Sequence, residues 1–205
     1  MKVAVIDYGM GNLGSVRRAF AALSSEVFVA DRPGSLNNAE RIVLPGVGSF
    51  AEGMARLSEH GWTSAIREQV LEFGKPFLGI CLGMQLLATN GTEGGETAGL
   101  GLIDGAVIRL DSLGCPLCIP HVGWNAVTLN NTSSLFAGIP DETDFYFVHS
   151  YAFRPASVDS ILAFTDYGMP IVAAIGQKHI FGAQFHPEKS SKAGFRVLEN
   201  FLGFT

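Results

Sequence analysis

The stretch Gly-Ile-Cys-Leu-Gly at residues 79–83 decides how this chain is interpreted. The apolar run at residues 76–78 before it predicts a short buried strand, and the pattern at residues 84–88 after it predicts a helix. A Gly-x-Cys-x-Gly sequence between a strand and a helix is typical of a nucleophile elbow, whose sharp turn requires glycines on either side. We therefore expect Cys81 to be a nucleophile at a helix N-terminus, with Gln85 one helical turn further on.

A second segment, late in the chain, supplies the partners that a cysteine nucleophile needs. The sequence Gln-Phe-His-Pro-Glu at residues 184–188 follows an apolar run that predicts another strand. His186 is placed to accept the Cys81 proton, and Glu188 to orient the imidazole and stabilise its charged form. A lone cysteine after a strand is more often a small core residue. The glycines and the His-Pro-Glu segment together favour a Cys-His-Glu triad instead.

These motifs resemble those of the class I, or triad, glutamine amidotransferases, whose glutaminase domain carries a Gly-x-Cys-x-Gly elbow and a His-Pro-Glu segment. Four further stretches resemble the glutaminase subunits of imidazole glycerol phosphate synthases in histidine biosynthesis. They are DYGMGN at residues 7–12, LPGVGSF at 44–50, PHVGWN at 120–125 and YFVHSY at 146–151. The resemblance implies one glutamine amidotransferase type 1 domain over residues 1–205.

Short apolar runs alternate with helical patterns in the first half of the chain, and strands and turns dominate the second half. Strands are predicted at residues 3–6, 27–30 and 41–44, and then near 106–110, 124–129, 144–148, 161–164 and 171–175. An apolar face over residues 62–73 predicts a helix that buries Phe73 and ends at Gly74. We expect an α/β fold with a single-domain, open, mixed and mainly parallel sheet flanked by helices, which the family resemblance describes as flavodoxin-like.

Ligands of open α/β sheets bind beyond the carboxyl ends of the strands, where three of the motifs are expected to meet. The Pro-Gly-Val-Gly turn after Leu44 is able to point backbone N–H groups at an anion. Alone, this turn would equally be a tight connection between a strand and a helix. Beside an elbow it predicts an oxyanion hole, in which Leu82 N–H is one donor and Val47 or Gly48 N–H is the other.

The resemblance also implies which residues bind glutamine. They are Gly46, Gln85, Glu93, His149, Ser150 and Tyr151. Glu93 matches the acid that binds the α-ammonium group, and residues 149–151 match the segment that holds the α-carboxylate. The sequence around Glu93, Thr-Glu-Gly-Gly, departs from the more acidic, serine-containing run of the family. Without the resemblance, His149 would be interpreted as a core histidine at a strand end.

A partner is expected because ammonia released into water would be diluted and protonated. The sequence contains no second domain for an acceptor reaction, so we expect that reaction in another polypeptide. The resemblance implies a (β/α)8-barrel cyclase subunit, which converts N′-phosphoribulosyl-formimino-AICAR-phosphate to imidazole glycerol phosphate and AICAR. The positions that match the subunit interface are Asn12, Trp124, Tyr146 and Lys189. From the sequence alone, Trp124 would equally be a core residue and Lys189 an ordinary surface residue.

Regulation by the partner is a further implication, since the family's glutaminase is nearly silent until the cyclase is docked and liganded. We expect the turn at residues 45–48 to rest with one donor pointing away from Cys81. The turn would reorient when the partner presses on a loop at residues 121–123.

Composition excludes several other classes of protein. The 205 residues are 47% hydrophobic, which is enough for one domain with a sizeable core. A net charge of −5 argues against nucleic acid and anionic membranes as partners. The sequence has neither an apolar run near 18 residues nor a signal-peptide pattern at its start, so we expect a cytoplasmic protein. We expect no cofactor and no metal.

Two short motifs point weakly to other chemistry. Cys115 and Cys118, with His121 close by, form a Cys-x-x-Cys pair in a predicted loop or edge strand, without a nearby fourth metal ligand. Whether the two thiols pair stays open. A Gly-x-Gly-x-x-Gly pattern at residues 9–14 follows the first strand, but Asp31 lies in an ambiguous position for a dinucleotide site.

Three other functions stay open at this point. The chain could be the glutaminase subunit of a different synthase, such as anthranilate, aminodeoxychorismate or pyridoxal phosphate synthase, but the stretches at residues 44–50 and 120–125 argue against this. It could be a non-catalytic subunit that retains the fold, which the intact triad disfavours. It could also be a stand-alone thiol hydrolase of γ-glutamyl compounds, which would be fully active without a partner.

Overall fold

The computed structural model describes residues 1–23, 26–130 and 133–204. The helices are α1 (Leu13–Ala22), α2 (Phe50–Glu59), α3 (Trp62–Arg67), α4 (Leu82–Gln85) and α5 (Ser191–Gly203). The strands are β1 (Lys2–Ile6), β2 (Glu26–Ala30), β3 (Arg41–Gly46), β4 (Phe77–Cys81), β5 (Asn90–Gly91), β6 (Thr97–Ala98), β7 (Gly105–Arg109), β8 (His121–Leu129), β9 (Thr143–His149), β10 (Tyr151–Pro155), β11 (Ile161–Asp166), β12 (Pro170–Gln177) and β13 (Ile180–Ala183). Short 3₁₀ turns lie at Pro33–Asn38, Ser134–Phe136, Val158–Ser160 and Pro187–Lys189.

Nine of the described strands form one open, mixed sheet in the order β2-β1-β3-β4-β13-β12-β11-β8-β9. The five strands from β2 to β13 are parallel, and the pairs from β13 to β9 are antiparallel. This sheet confirms the predicted α/β class and the predicted strands, except that the strand predicted near residues 106–110 is β7 of a second sheet. The sequence does not predict the second sheet, β10-β7-β5-β6, because β5 and β6 have only two residues each.

The central sheet is covered on both faces, as β1 illustrates. Val3 and Val5 lie in the same core cluster as Phe20 of α1 and the buried face of α5. Ala4 and Ile6 point to the opposite face and lie in the cluster that includes residues of α2 and α3. Because successive side chains of a strand point to opposite faces, a strand covered on both sides must be apolar throughout.

The helix predicted over residues 62–73 differs from the expectation in its last turns. α3 ends at Arg67 and the chain continues as a π-helical segment, Glu68–Glu72. The wider turn rotates the following residues relative to an α-helix. Val70 is therefore buried, whereas Phe73 is 63% exposed. The expectation that Phe73 lies on the buried face is wrong.

The helix of the elbow is also shorter than the predicted one and begins earlier. α4 starts directly after the cysteine and ends at Gln85. Leu87 N and Ala88 N then donate to carbonyls three residues back, which tightens the chain instead of continuing the α-helix. A helix of four residues has only a small dipole, so its N-terminus adds little to the environment of the thiol.

The two elbow glycines are required for space. A Cβ on Gly83 would overlap the carbonyl oxygen of Leu44, and a Cβ on Gly79 would overlap the carbonyl of Gly83. These contacts hold α4 directly against β3 and β4. The expected requirement for glycine on either side of the cysteine therefore comes from space. The unusual backbone conformation of the turn is at Cys81 itself, with φ 55°.

We predict that Gly83→Ala destabilises the fold severely, by roughly 3 kcal/mol or more, because the new methyl group meets backbone that cannot move aside. Gly203→Ala is the matched control, since a Cβ there meets nothing within 4 Å and the residue ends α5. Alanine should leave stability unchanged there or raise it slightly. Urea denaturation of both variants measures the difference, and a Gly83→Ala variant as stable as Gly203→Ala would contradict this packing.

Candidate active site

Cys81 is the residue at which β4 turns into α4. Its backbone has φ 55° and ψ −112°, a region that costs a non-glycine residue on the order of 1–3 kcal/mol. The tight packing of Gly83 on Leu44 holds the chain in this conformation. The Cys81 side chain is 6% exposed and borders a cavity of about 320 Å³. Strain at a buried thiol beside a cavity is what a nucleophile elbow requires.

The cavity brings together most of the site residues expected from the sequence. It is lined by Val47, Gly48, Cys81, Leu82, Gln85, Glu93, Pro120, Val148, His149, Ser150, Tyr151 and His186. Two expected residues lie just outside this lining. Gly46 is the direct neighbour of Cys81 across the β3–β4 pair, and Glu188 is hydrogen-bonded to the far side of His186.

His186 and Glu188 form a buried pair on the turn after β13. His186 Nδ1 lies 2.8 Å from Glu188 Oε1, and the two side chains are 3% and 1% exposed. Because a carboxylate only accepts, Nδ1 carries a proton and Nε2 is left to act as the base. His186 Nε2 has no hydrogen-bond partner in the described part of the chain. Burial lowers the pKa of His186, but the nearby Cys81 and the hydrogen-bonded Glu188 outweigh it and raise the pKa to about 9, so the imidazole holds the proton that it takes from the thiol.

The expected oxyanion hole faces the same cavity. Leu82 follows the cysteine directly, and Val47 and Gly48 lie on the turn between β3 and α2. Gly48 has φ 112°, which favours glycine, and Val47 is 45% exposed. The structure therefore places all three residues in the lining of the cavity that Cys81 borders.

Glu93 lies at the rim of the cavity and has a second contact. Glu93 Oε2 accepts a hydrogen bond of 2.7 Å from Phe50 N, at the first residue of α2. A carboxylate is well placed at a helix N-terminus, where backbone N–H groups lack partners. This bond fixes the carboxylate, and the cavity lining leaves it facing the space that a substrate would occupy.

His149 is held inside a chain of hydrogen bonds at the end of β9. His149 Nδ1 donates to Tyr151 O at 2.9 Å, so its Nε2 accepts from His121 Nδ1 at 3.0 Å. His121 Nε2 then accepts from Asn125 Nδ2 at 3.3 Å. Burial lowers the pKa of both imidazoles to about 4, so both are neutral. Both ring nitrogens of His149 therefore have protein partners, and the residue also lines the cavity beside Cys81.

The chain is similar in sequence to known proteins over nearly its whole length. The profile of the family described as glutamine amidotransferase class-I matches residues 4–203 of the chain. The chain belongs to this family. Two relatives named imidazole glycerol phosphate synthase subunit HisH are similar over nearly their whole length. The one from Moorella thermoacetica is 49% identical, covering 97% of this chain and 93% of the relative. The one from Symbiobacterium thermophilum is 47% identical, covering 98% and 92%.

A solved structure shares the fold of this amidotransferase at a larger distance. It is the crystal structure of a glutamine amidotransferase from Thermotoga maritima, and the match has a TM-score of 0.70. The two chains are 20% identical, and the match covers 99% of this chain and 83% of the other. At that identity the likeness concerns the fold alone.

Three of the four expected interface residues of the amidotransferase form one exposed patch. Trp124 lies opposite Tyr146 across β8 and β9, with ring centroids 6.0 Å apart, and Lys189 Nζ lies 5.8 Å from the Tyr146 ring. Trp124 is 55% exposed, so it is a surface residue rather than a core residue. Asn12 is exposed at the N-terminus of α1, where its side chain accepts a hydrogen bond from Ser15 N.

One expectation about this surface is wrong. Residues 121–123, expected to form a loop, are the first residues of β8 and pair with β9. Val122 is 54% exposed, but His121 is buried and belongs to the hydrogen-bonded chain of His149. A partner that presses here would therefore act on a strand.

The other cysteines and the remaining surface add no further site. Cys115 and Cys118 are free thiols, and Cys115 Sγ lies 3.3 Å from Tyr167 O. Within residues 1–23, 26–130 and 133–204, no group of three or more His, Cys, Asp or Glu side chains could hold a metal ion. In the same ranges, no helix has the length and apolar character to cross a membrane.

Tyr8 lies beside the site, although it was not among the site residues expected from the sequence. Its hydroxyl is buried without a hydrogen-bond partner in the described part of the chain, and a Cβ on Gly46 would overlap it. Burial, together with the nearby Cys81, raises the pKa of Tyr8. The sequence pattern holds no signal for this, because an apolar run followed by a tyrosine is typical of any buried strand end.

We predict that Tyr8→Phe raises the free energy of unfolding by about 1 kcal/mol, because an unpaired buried hydroxyl costs desolvation without a compensating bond. Tyr167→Phe is the matched control. Its hydroxyl donates to Cys118 O at 2.6 Å, so its loss should lower stability by about 1 kcal/mol. Urea denaturation of both variants gives the comparison. Equal losses in the two variants would mean that the Tyr8 hydroxyl has a partner.

We predict a pH dependence of stability that depends on His186. The folded-state pKa of about 9 lies above the unfolded value of about 6.5. Protonated His186 therefore stabilises the fold fully below pH 6.5, and this contribution, on the order of 3 kcal/mol, is lost as the pH rises through 9. The groups that face the imidazole are Cys81, Glu188 and His149. Denaturation at pH 6, 8 and 10 should show a steeper decline for the wild type than for His186→Asn, and parallel declines would refute this assignment.

Proposed function

We propose that this chain is the glutaminase subunit of an imidazole glycerol phosphate synthase. It hydrolyses glutamine to glutamate and ammonia with a triad of Cys81, His186 and Glu188, as one type 1 amidotransferase domain over residues 1–205. The observation that carries the proposal is the buried His186–Glu188 pair, 2.8 Å apart, whose His186 lines the same cavity as the strained Cys81. The relatives named above, at 47–49% identity, support the choice of synthase.

The first chemical step forms a bond between sulfur and carbon. His186 Nε2 takes the proton of the Cys81 thiol, and the thiolate attacks the side-chain amide carbon of glutamine. The amide oxygen becomes an oxyanion, which accepts hydrogen bonds from Leu82 N–H and from Val47 or Gly48 N–H. Each such donor contributes roughly 3–4 kcal/mol to stabilising the transition state.

The second half of the reaction releases both products. His186 returns its proton to the amide nitrogen, the carbon–nitrogen bond breaks, and ammonia leaves a glutamyl thioester on Cys81. His186 then takes a proton from water, whose oxygen attacks the thioester carbon. The carbon–sulfur bond breaks, glutamate leaves and Cys81 regains its proton. Glu188 holds the imidazole in the required tautomer throughout and stabilises its charged form.

Recognition of the amino-acid end of glutamine falls to the rest of the cavity. The fixed carboxylate of Glu93 offers a counter-charge for the α-ammonium group. Ser150 and Tyr151 provide the segment for the α-carboxylate, and His149 braces that segment from within. Gly46 and Gln85 complete the glutamine site beside the thiol. The neutral charge of His149 suits this site, because hydrogen-bond donors hold the α-carboxylate of glutamine and no buried cation is needed.

The partner in this proposal is a (β/α)8-barrel cyclase subunit, with which the chain forms a heterodimer. The exposed patch of Trp124, Tyr146 and Lys189, together with Asn12, forms the docking surface. Ammonia then passes to the cyclase through the interior of the complex, where it is neither diluted nor protonated. The cyclase uses it in a lyase-type reaction that yields imidazole glycerol phosphate and AICAR.

Docking also controls the oxyanion hole in this proposal. The turn at residues 45–48 rests with one donor pointing away from Cys81 and reorients when the partner binds. The partner acts first on Val122, an exposed residue near the start of β8. A structure of the free chain with both donors already directed above the thiol would count against this control.

We predict low glutamate release by the chain alone, and a steep rise when a barrel cyclase and its ribonucleotide substrate are added. Cys81→Ala should abolish release in both conditions, because no other group forms the thioester. Cys118→Ala, a change at an exposed thiol outside the cavity, should behave as wild type. A coupled glutamate assay measures the three proteins, each alone and with the cyclase and its substrate.

Two results would contradict the proposal. High activity of the chain alone, unchanged by the cyclase, would indicate a stand-alone thiol hydrolase. A Cys81→Ala variant that still supports glutamine-dependent synthesis would indicate a non-catalytic subunit.

A further inference from the structure

Gln184 lies at the end of β13, two residues before His186. Its side chain is fully buried, and Gln184 Nε2 lies 3.8 Å from Cys81 Sγ. Nothing in the mechanism above uses this amide. Alternate residues of an extended segment point to the same side, so the spacing between Gln184 and His186 is the sequence signal that could have drawn attention to it.

The orientation of the Gln184 amide follows from its neighbours. Gln85 Nε2 donates one hydrogen bond to Tyr151 O at 2.9 Å and another to Gln184 Oε1 at 3.0 Å. A backbone carbonyl only accepts, so the atom of Gln85 that faces Tyr151 O must be the nitrogen. Both hydrogens of that nitrogen are then used, and the atom of Gln184 that faces it must be the oxygen. The NH₂ group of Gln184 is therefore the end that points at Cys81 Sγ.

The groups around the sulfur interact with it differently once the thiol has lost its proton. Cys81 Sγ lies 3.7 Å from Val148 O, a partner that serves only an S–H group. Once the proton has moved to His186, that carbonyl can no longer form a hydrogen bond with the sulfur. The Gln184 amide is then the neutral donor on the sulfur, in a buried site where hydrogen bonds to a charged group are strong.

We propose that Gln184 is a further catalytic residue, which donates a hydrogen bond to the Cys81 thiolate and is held in that orientation by Gln85. Gln184 does not line the cavity, so its effect is on the nucleophile and leaves substrate binding unchanged. Gln85 thereby gains a positioning role in addition to its place in the glutamine site. The inference deepens the proposed function, since it assigns another residue to the same nucleophile.

The test is the rate at which iodoacetamide alkylates Cys81 in the full chain, followed by mass spectrometry of the peptide that contains Cys81. Gln184→Met keeps the length of the side chain and removes the donor. We expect its alkylation rate to fall at least about tenfold at pH 7. At pH 10, its rate should approach that of the wild type.

Gln69→Met is the matched control. Gln69 is 3% exposed and donates from its side chain to Asn37 Oδ1 at 2.9 Å, away from the cavity. The Gln69→Met variant should be less stable than the wild type, because it loses a buried hydrogen-bonded amide, with no change in alkylation rate at pH 7. A wild-type rate for Gln184→Met at pH 7 would overturn the proposal, as would an equal fall in the control.

A second measurement applies if Gln184→Met does not fold. In the wild type and in Cys81→Ala, the side-chain NH₂ resonances of the glutamines are compared by ¹⁵N NMR. The Gln184 signals should shift when the sulfur is removed, while those of Gln69 stay in place. Unmoved Gln184 signals would overturn the proposal.

In the complex with the cyclase, Gln184→Met should lower kcat for glutaminase about tenfold and leave KM within twofold. A rise in KM with unchanged kcat would assign Gln184 to substrate binding and overturn the proposal. The alkylation experiment needs no glutamine turnover. A chain that released no glutamate with any partner would therefore refute the proposed function while leaving the test of Gln184 intact.

Discussion

The approach of α4 to β3 sets the position of every group that acts on the substrate. Gly83 packs so closely on the carbonyl of Leu44 that a single methyl group has no room. This contact forces Cys81 into a strained conformation with positive φ between β4 and α4, and it brings Gly46 beside the thiol across the sheet. The strain at one residue is stabilised by a core that is apolar on both faces of the sheet. Local strain of this kind persists only where the surrounding structure over-determines it.

Electrostatics divide the buried polar groups of the site into two sets. His186 is prepared to carry a proton, because Glu188 and Cys81 face it. His121 and His149 are held neutral by burial, and their ring nitrogens are used in a fixed order of donors and acceptors that ends at Tyr151 O. Charge can therefore develop at one place only among these imidazoles, next to the sulfur. The remaining groups orient the backbone around the cavity.

Much of this arrangement could be predicted from the sequence, because the elbow and the His-Pro-Glu segment lie at strand ends that a parallel sheet brings together. The features that could not be predicted have physical causes. The periodicity of residues 62–73 does not reveal a π-helical turn, which rotates Phe73 into solvent. Glycine at 79 and 83 indicated an elbow without indicating whether space or backbone conformation required it. The hydrogen bond between Gln85 and Gln184 joins residues 99 positions apart, and no local pattern reports such a contact.

The measurement that tests the central claim most directly is a search for the covalent intermediate. The chain, with a cyclase and its ribonucleotide substrate, is mixed with isotope-labelled glutamine, quenched in acid and digested. We expect one labelled glutamyl group on the peptide that contains Cys81, and none in Cys81→Ala. Glutamate released at the full rate while the Cys81 peptide stays unlabelled, or label on the Cys118 peptide, would contradict it.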